Sequence, residues 1–384
     1  MSNVLFDLKQ AEKMGYATKE DIEEAKRLEA EAIEVGLEGC TLDENTLENK
    51  WLPIVFNLEL DTINMIHDVA NMANYLRRLV PDVVEEEQKE NSRYSKEMLE
   101  EMKKRFNKLK GKAYCTEAYT SAKIEGAEIS YNKFDDIYKS ICKEEERAKG
   151  IEKYNRLSEE EKQSFNMVLF GLKADNLIQS GSWISEEHDH RKYLRELWEI
   201  LMGKKKSEDL TPFNMNYNNE NIEGTQWRTG NIAVTQYNEV THRPCNYEEL
   251  DGAMERLFKY EDTDKVCLDE QNEKIEQLGE FERRILKSCV ISFYLLNIHP
   301  FCDGCGRLTR LTQRRYLIDN VSYIFEYVKL SKQISNSKDR YYEALRKSED
   351  TYYTDKVIDI TPYIRYMLKI TCDAIVEAVE CINY

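Results

Sequence analysis

The stretch IHPFCDGCGRLTR, at 298–310, concentrates side chains that could do chemistry. A histidine can accept a proton near neutral pH, and a carboxylate is a hard ligand for Mg²⁺. Arginines fork onto phosphate oxygens, and glycines let an anion approach the backbone. The residues of these types are His299, Asp303, Gly304, Gly306, Arg307 and Arg310. Together they predict a phosphate-binding site with a general base beside it.

The elements on both sides of this stretch support that prediction. Residues 280–298 place apolar side chains on one stripe, which predicts a buried helix running into His299. A second helix is predicted to begin at the glycines. The free N–H groups at a helix start bind anions. Arg307 and Arg310 are three apart and therefore neighbours on the second helix.

Two other interpretations of the stretch are open. Cys302 and Cys305 form a C-x-x-C pair, and with His299 they could be three metal ligands or part of a redox site. An ordinary loop with a structural histidine is the other. No second ligand pair follows, and no βαβ pattern surrounds the cysteines, so the metal and redox hypotheses are weaker.

The rest of the chain indicates an all-α, mainly helical protein. With only 15 glycines and 6 prolines in 384 residues, long Glu/Lys/Leu-rich tracts run unbroken. Helices are predicted at 18–35, 52–80 and 84–110, the last as a solvated connector. Alternating β-branched and aromatic residues at 225–244 predict one small β-hairpin.

Charge and hydropathy exclude several classes of function. The net charge of −17 argues against a nucleic-acid partner. The longest apolar stretch, Val290–Ile298, is too short for a membrane span. The N-terminal residues lack a secretory pattern. We expect a cytoplasmic protein with reduced cysteines and no membrane partner.

The stretch from His299 to Arg310 resembles the signature of the Fic family, His-Pro-Phe-x-Asp/Glu-Gly-Asn-Gly-Arg-x-x-Arg. Cys305 is the one exception, where the family has asparagine. Ser121-Ala-Lys-Ile-Glu125-Gly126 resembles the family's inhibitory motif, Ser/Thr-x-x-x-Glu-Gly/Asn. The predicted hairpin stands where the family has its flap. The resemblance covers about 113–375.

This resemblance implies a domain organisation. A helical N-terminal region would occupy 1–112. The Fic core would occupy 113–330, with an inhibitory helix at about 116–126, the flap at about 225–244 and the signature at 299–310. Helices in 331–384 would close the core.

The resemblance also implies transfer of AMP from ATP, with Mg²⁺, to a hydroxyl side chain of a target protein. His299 would be the general base and Asp303 the Mg²⁺ ligand. Phosphates would be bound by the backbone of the loop and by two arginines: Gly304, Cys305, Gly306, Arg307 and Arg310.

Auto-inhibition is implied by the N-terminal motif. Glu125 and Ser121 share one helix face, and Gly126 ends the motif. A carboxylate that pairs with Arg310 would occupy the partner of the γ-phosphate.

The target would present Ser, Thr or Tyr in an extended segment paired with the flap. The flap residues expected to bind it are Thr229, Gly230, Asn231, Ile232, Ala233 and Val234. Near the adenine base of the nucleotide, relatives tend to have asparagine, whereas this chain has Ser348, Glu349 and Asp350. The first hundred residues could pack on the core or make a homodimer contact.

Alternatives remain at this stage. The same fold could transfer UMP or phosphocholine, or remove AMP with Glu125 positioning water. A protein of another class, a non-catalytic interaction protein with a degenerate site, would explain Cys305. We expect instead that Cys305 weakens transfer, or that a thiol of lowered pKa at the helix start makes the loop sensitive to oxidation.

Overall fold

The computed structural model describes residues 19, 31–42, 49–89, 92, 94–179, 189–204, 227–236, 239–268, 272–355 and 357–383. The helices within these residues are α1 (Leu60–Leu79), α2 (Val83–Gln88), α3 (Lys96–Ile124), α4 (Tyr131–Cys142), α5 (Arg147–Asn155), α6 (Glu159–Gln179), α7 (His190–Leu201), α8 (Leu250–Asp262), α9 (Glu273–Glu276), α10 (Glu280–Ile298), α11 (Cys305–Tyr316), α12 (Leu330–Asn336), α13 (Lys338–Asp355) and α14 (Thr361–Asn383). The strands are β1 (Ile33–Leu42), β2 (Asn49–Phe56), β3 (Val234–Gln236), β4 (Glu239–His242) and β5 (Ile358–Asp359).

The mainly helical fold with a small hairpin is confirmed. Strands β3 and β4 pair antiparallel, with Val234 opposite His242. A three-stranded sheet was not predicted. In it β2 lies between β1, which is antiparallel, and β5, which is parallel.

The predicted helices at 18–35 and 52–80 were wrong at one end each. Residues 33–35 belong to β1, where Ile33, Val35 and Leu37 are each 2% exposed while Glu34 is exposed. This alternation is typical of a strand with one buried face. Residues 52–56 belong to β2, and the helix begins only at Leu60. Of 18–30, only the helical Lys19 lies within the described residues.

The predicted helix at 84–110 consists of two helices. The short α2 ends at Gln88, and α3 begins after Ser95, whose side chain accepts from the N–H of Met98 at 3.2 Å. Helix α3 then continues to Ile124 and includes the predicted inhibitory helix except for its last two residues, Glu125 and Gly126, which follow the helix end. The predicted domain boundary at 112 therefore falls inside one helix. Helix α3 packs on α6 and α12.

Helix α10 is the central helix of the core. From Ile285 onward nearly every side chain is buried, because α10 packs against α8, α11, α14 and the N-terminal sheet. At its start, the Glu282 carboxylate accepts from the N–H of Gly279 at 2.5 Å. No helix in the described part of the chain is both long and apolar enough to cross a lipid bilayer. The signature stretch begins directly after the C-terminal end of α10, at His299.

Candidate active site

His299 lies at the end of α10 in a left-handed conformation, with φ 51° and ψ 65°. It is the one non-glycine residue with positive φ among those described, and such a conformation persists only where the surroundings enforce it. Arg228 holds His299 in this conformation through two hydrogen bonds. Its backbone N–H donates to the Pro300 carbonyl at 2.9 Å, and its Nε donates to the His299 carbonyl at 2.9 Å. The turn is therefore held from both sides of His299.

An aromatic cluster holds the next part of the loop. The ring of Trp198, from α7, stacks on Phe301 with centroids 4.4 Å apart, and Trp227 meets Phe301 edge-on at 5.6 Å. The indole Nε1 of Trp198 donates to the Asp303 carbonyl at 2.8 Å. These contacts fix the loop path without using any residue of the signature that was predicted to bind phosphate.

Cys305 closes the loop from inside. Its thiol donates to the Phe301 carbonyl, and its sulfur accepts from the Phe301 N–H, both at 3.3 Å. Burial raises the pKa of Cys305, which contradicts the idea of a thiol activated by the helix start. Cys302 is exposed, and both cysteines are free. The residue that departs from the family signature is thus a structural brace.

The two glycines of the loop play different parts. Gly304 has φ +80°, and a Cβ there would lie 2.8 Å from Met202 Sδ. At Gly306 a Cβ would collide with Glu125 Oε1. The carboxylate of Glu125 therefore lies directly over Gly306, in the space through which an anion would approach the start of α11.

Arg310 is bound by the end of α3. Its Nη2 donates to Glu125 Oε1 at 2.7 Å and to the Ser121 carbonyl at 3.0 Å, and its Nε donates to Ser121 Oγ at 3.0 Å. Burial alone would raise the pKa of Glu125, but the Arg310 guanidinium outweighs it, and the pKa lies below its ordinary value. Gly126, at φ +96°, ends the segment.

The His299 imidazole is uncharged near neutral pH. Burial, and then the positive charges of His242 and Arg228, lower the pKa of His299 to about 4. A neutral imidazole has a free ring nitrogen and can accept a proton.

These groups line one cavity of about 370 Å³, a size typical of small-molecule sites. Glu125, Gly306 and Arg310 line it together with His299. The remaining lining residues come from β3, β4, α10 and α13: Val234, His242, Leu296, Asp339, Tyr341, Tyr342, Glu343, Leu345, Arg346 and Glu349.

A model of the Fic/DOC family matches residues 191–317, a range that contains both flap strands, His299 and Arg310. These residues form a Fic/DOC domain. Fic/DOC proteins generally transfer phosphate-linked groups such as AMP onto proteins, so the domain implies a transferase. Among curated proteins, none matches the sequence of this chain.

Solved structures share the fold well beyond the Fic/DOC domain. A Fic family protein from Desulfovibrio desulfuricans G20 has a TM-score of 0.56 at 15% identity, over 85% of this chain and 76% of that one. A Fic domain-containing signaling protein from Bacteroides thetaiotaomicron VPI-5482 has a TM-score of 0.52 at 14% identity, over 82% of this chain and 98% of that one. Fic-1 from C. elegans has a TM-score of 0.51 at 16% identity, over 84% of this chain and 73% of that one. At these identities the likeness concerns the fold.

Four of the six predicted phosphate and metal ligands do not line the cavity: Asp303, Gly304, Cys305 and Arg307. Arg307 Nη1 donates to the Leu201 carbonyl at 3.2 Å, and Nη2 lies 3.2 Å from Met202 Sδ. Asp303 is exposed, and its Oδ1 accepts from the N–H of Gly304 at 2.6 Å.

The described residues contain no group of three or more metal-ligating side chains. The single exposed carboxylate of Asp303 still fits Mg²⁺, because this ion commonly takes one or two carboxylates and completes its shell with phosphate oxygens.

The flap is shorter than predicted. Residues 229–233 are not in a strand, and 225–226 lie outside the described residues. Thr229, Gly230, Asn231 and Ala233 are exposed and Ile232 is half-buried, whereas Val234 opens β3 and lines the cavity. Alternation along the sequence predicted the hairpin, but it could not give the strand length.

Of the three residues predicted to lie near the nucleotide base, Ser348, Glu349 and Asp350, only Glu349 lines the cavity. Ser348 is fully buried and accepts from the N–H of Tyr363, and Asp350 pairs with Arg346. Sequence reasoning missed Trp198, Arg228 and His242. The sequence marks His242 only as a histidine near the end of the predicted flap. Nothing in the sequence pointed to Trp198 or Arg228.

Proposed function

We propose that this chain is an auto-inhibited protein adenylyltransferase. It transfers AMP from ATP to a hydroxyl side chain of a target protein and to itself, and Glu125 restrains it by holding Arg310. The supporting observation is the position of the Glu125 carboxylate, which covers Gly306 and pairs with Arg310 in the cavity that His299 lines.

The reaction needs a base and an anion site, and the cavity offers both. His299 accepts the proton of the target hydroxyl as its oxygen forms a bond to the α-phosphorus. The bond from that phosphorus to the bridging oxygen breaks, and pyrophosphate leaves. Arg310 and the N–H groups at the start of α11 stabilise charge on the phosphates.

Asp303 would hold Mg²⁺ together with phosphate oxygens, and the ion would neutralise charge on the leaving group. Arg307 can serve as a phosphate ligand only if its guanidinium leaves Leu201 and Met202. The target segment would pair beside β3, whose first residue reaches the cavity.

The test is incubation of the purified chain with Mg²⁺ and each α-labelled nucleoside triphosphate, comparing wild type with Glu125→Gly. We expect label from ATP on hydroxyl side chains, stronger in the variant. Labelling by UTP alone would replace AMP by UMP in the proposal. No label from any nucleotide in either protein would reject the transferase and favour the non-catalytic alternative.

A further inference from the structure

His242, the last residue of β4, bridges the flap to two helices. Its Nε2 lies 2.8 Å from the carbonyl oxygen of Asn297 on α10. Its Nδ1 lies 3.1 Å from Glu349 Oε2 on α13. The side chains of His242 and Glu349 are only 11% and 17% exposed. The imidazole is therefore held between two partners in a largely buried position.

Both partners are hydrogen-bond acceptors. A carbonyl oxygen and an ionised carboxylate can only accept, so the ring satisfies both by donating from each nitrogen, which requires the imidazolium form. Burial opposes the charge, yet Glu349 and the Asn297 carbonyl outweigh it, and the pKa of His242 lies above its ordinary value.

The Asn297 carbonyl belongs to the last turn of α10, where backbone carbonyls lack partners within the helix. Arg228 donates to the next two carbonyls, those of Ile298 and His299, at 3.5 and 2.9 Å. Two cations from the residues around the flap thus cap the end of α10. Cations are favoured there by the helix dipole.

We propose that His242 is a positioning residue for the reaction at His299, fixing the end of α10 to the flap and to Glu349. Its charge also disfavours a proton on His299, which keeps the base ready. The proposal rests on the proposed function, in which His299 is the general base.

The contact depends on pH because His242 must be charged. The groups that face it are Glu349 from α13, His299 from the turn after α10 and the Cys245 thiol after β4. Since the pKa of His242 is raised, the contact is complete below the ordinary histidine pKa. As pH rises through the higher value in the folded protein, the imidazole loses a proton and with it one of its two hydrogen bonds.

Nuclear magnetic resonance titration of the imidazole signals tests the coupling without any nucleotide. The chain has five histidines, so the signals can be assigned by single substitutions. In His242→Gln we expect the His299 signal to titrate at higher pH than in wild type. In Glu349→Gln we expect the His242 signal to titrate at lower pH.

The matched control is His67→Gln. His67 also contacts a carboxylate, Glu282, at 2.7 Å, but it does not line the cavity. The control should leave the His299 titration unchanged. An unchanged His299 titration in folded His242→Gln would overturn the proposal.

Transfer kinetics give the second readout, with Glu125→Gly as the parent. Adding His242→Gln should lower kcat by roughly 10- to 100-fold, because a misplacement of about 1 Å can cost about 10²-fold. The alkaline limb of the pH profile that belongs to His242 should disappear. An unchanged kcat and profile would overturn the positioning role. If the Glu125→Gly parent itself transfers nothing while the titration shift is present, the proposed function fails and the coupling stands.

Discussion

At the scale of single residues, the site depends on charge states that its surroundings impose. Burial and the nearby His242 keep His299 neutral, while Arg310 keeps Glu125 ionised despite burial. One cavity therefore contains a neutral histidine and a charged carboxylate. A neutral imidazole can take a proton, and an ionised carboxylate can compete with phosphate for the same arginine.

Replacement of His299 by alanine should abolish transfer while ATP binding persists. Loss of a positioned base typically costs about 10²–10⁴-fold in rate, and in the proposed reaction His299 acts on the hydroxyl rather than on the phosphates. Calorimetric titration with Mg·ATP and a labelling assay in the Glu125→Gly background would measure the two effects.

The pH profile of the Glu125→Gly variant adds a check on the same residue. The rate should fall as pH drops through the pKa of His299, because protonated His299 cannot accept a proton; that pKa is about 4 with Glu125 present, and loss of the Glu125 charge should lower it further. Undiminished transfer by His299→Ala would contradict the role of the base.

The two cysteines of the loop should differ sharply in reactivity. Cys302 is exposed, whereas Cys305 is 1% exposed and burial raises its pKa. Because the thiolate is the reactive form, iodoacetamide should modify Cys302 in the native protein and reach Cys305 only on unfolding. Mass spectrometry of the labelled peptides would measure this. Rapid native labelling of Cys305 would show that the loop opens.

At the scale of elements, the end of α3 combines a structural role with the proposed inhibitory one. The buried Glu117 accepts from the N–H of Ser331 with both carboxylate oxygens, at 2.9 and 3.1 Å, and so caps α12. One turn later Ser121, and after a second turn Glu125, bind Arg310. The proposed inhibitory contact is thus made at the end of a helix that is anchored in the core.

Glu125→Gly should raise self-modification by about 10-fold, because a charge-assisted hydrogen bond contributes roughly 1.5–3 kcal/mol and this one is partly screened. The Glu125 side chain is 31% exposed, which sets the expectation at the lower end. Ser121→Ala removes one hydrogen bond to Arg310 and should raise self-modification less than Glu125→Gly does. Labelling rates over a range of ATP concentrations would measure the differences.

Glu128→Gly is the matched control, because Glu128 is an exposed carboxylate nearby that does not line the cavity. It should behave as wild type. Equal labelling of Glu125→Gly and wild type at every ATP concentration would refute the inhibitory role.

At the scale of the whole molecule, the N-terminal strands are joined to the C-terminal helices. β2 pairs with β5, immediately before α14, and α1 packs along α14. The N–H of Asn57 donates to Thr361 Oγ1 at 2.8 Å. The segment before the Fic/DOC domain therefore shares a core with the C-terminal helix α14.

Ile54→Ala should destabilise the whole molecule by about 2–5 kcal/mol, since Ile54 is fully buried in β2 and truncation leaves a cavity. The control is Leu60→Ala. Leu60 is 71% exposed, and its truncation should change the free energy of unfolding by less than about 0.5 kcal/mol. Urea denaturation followed by circular dichroism would measure both. A small effect of Ile54→Ala would show that the sheet is not coupled to the core.

The sequence was sufficient for the helical class, the hairpin and the helix–loop–helix around His299, because these depend on local periodicity and on glycine. It failed at 33–35 and 52–56, where strands form. A strand is stabilised by partners far along the chain, here β5 some three hundred residues after β2, and local propensity does not contain that information. The length of α3 was missed because charged surface residues weaken the apolar pattern.

By itself the sequence determined which chemical groups are available: one histidine, the glycines, the arginines and a glutamate in an inhibitory-type motif. Only the tertiary structure decided how they combine. It placed the Glu125 carboxylate over Gly306, turned Arg307 toward Leu201, buried the Cys305 thiol and set His242 against Glu349. These outcomes depend on distances and burial between elements far apart in the chain, and burial and neighbouring charges are what set a pKa.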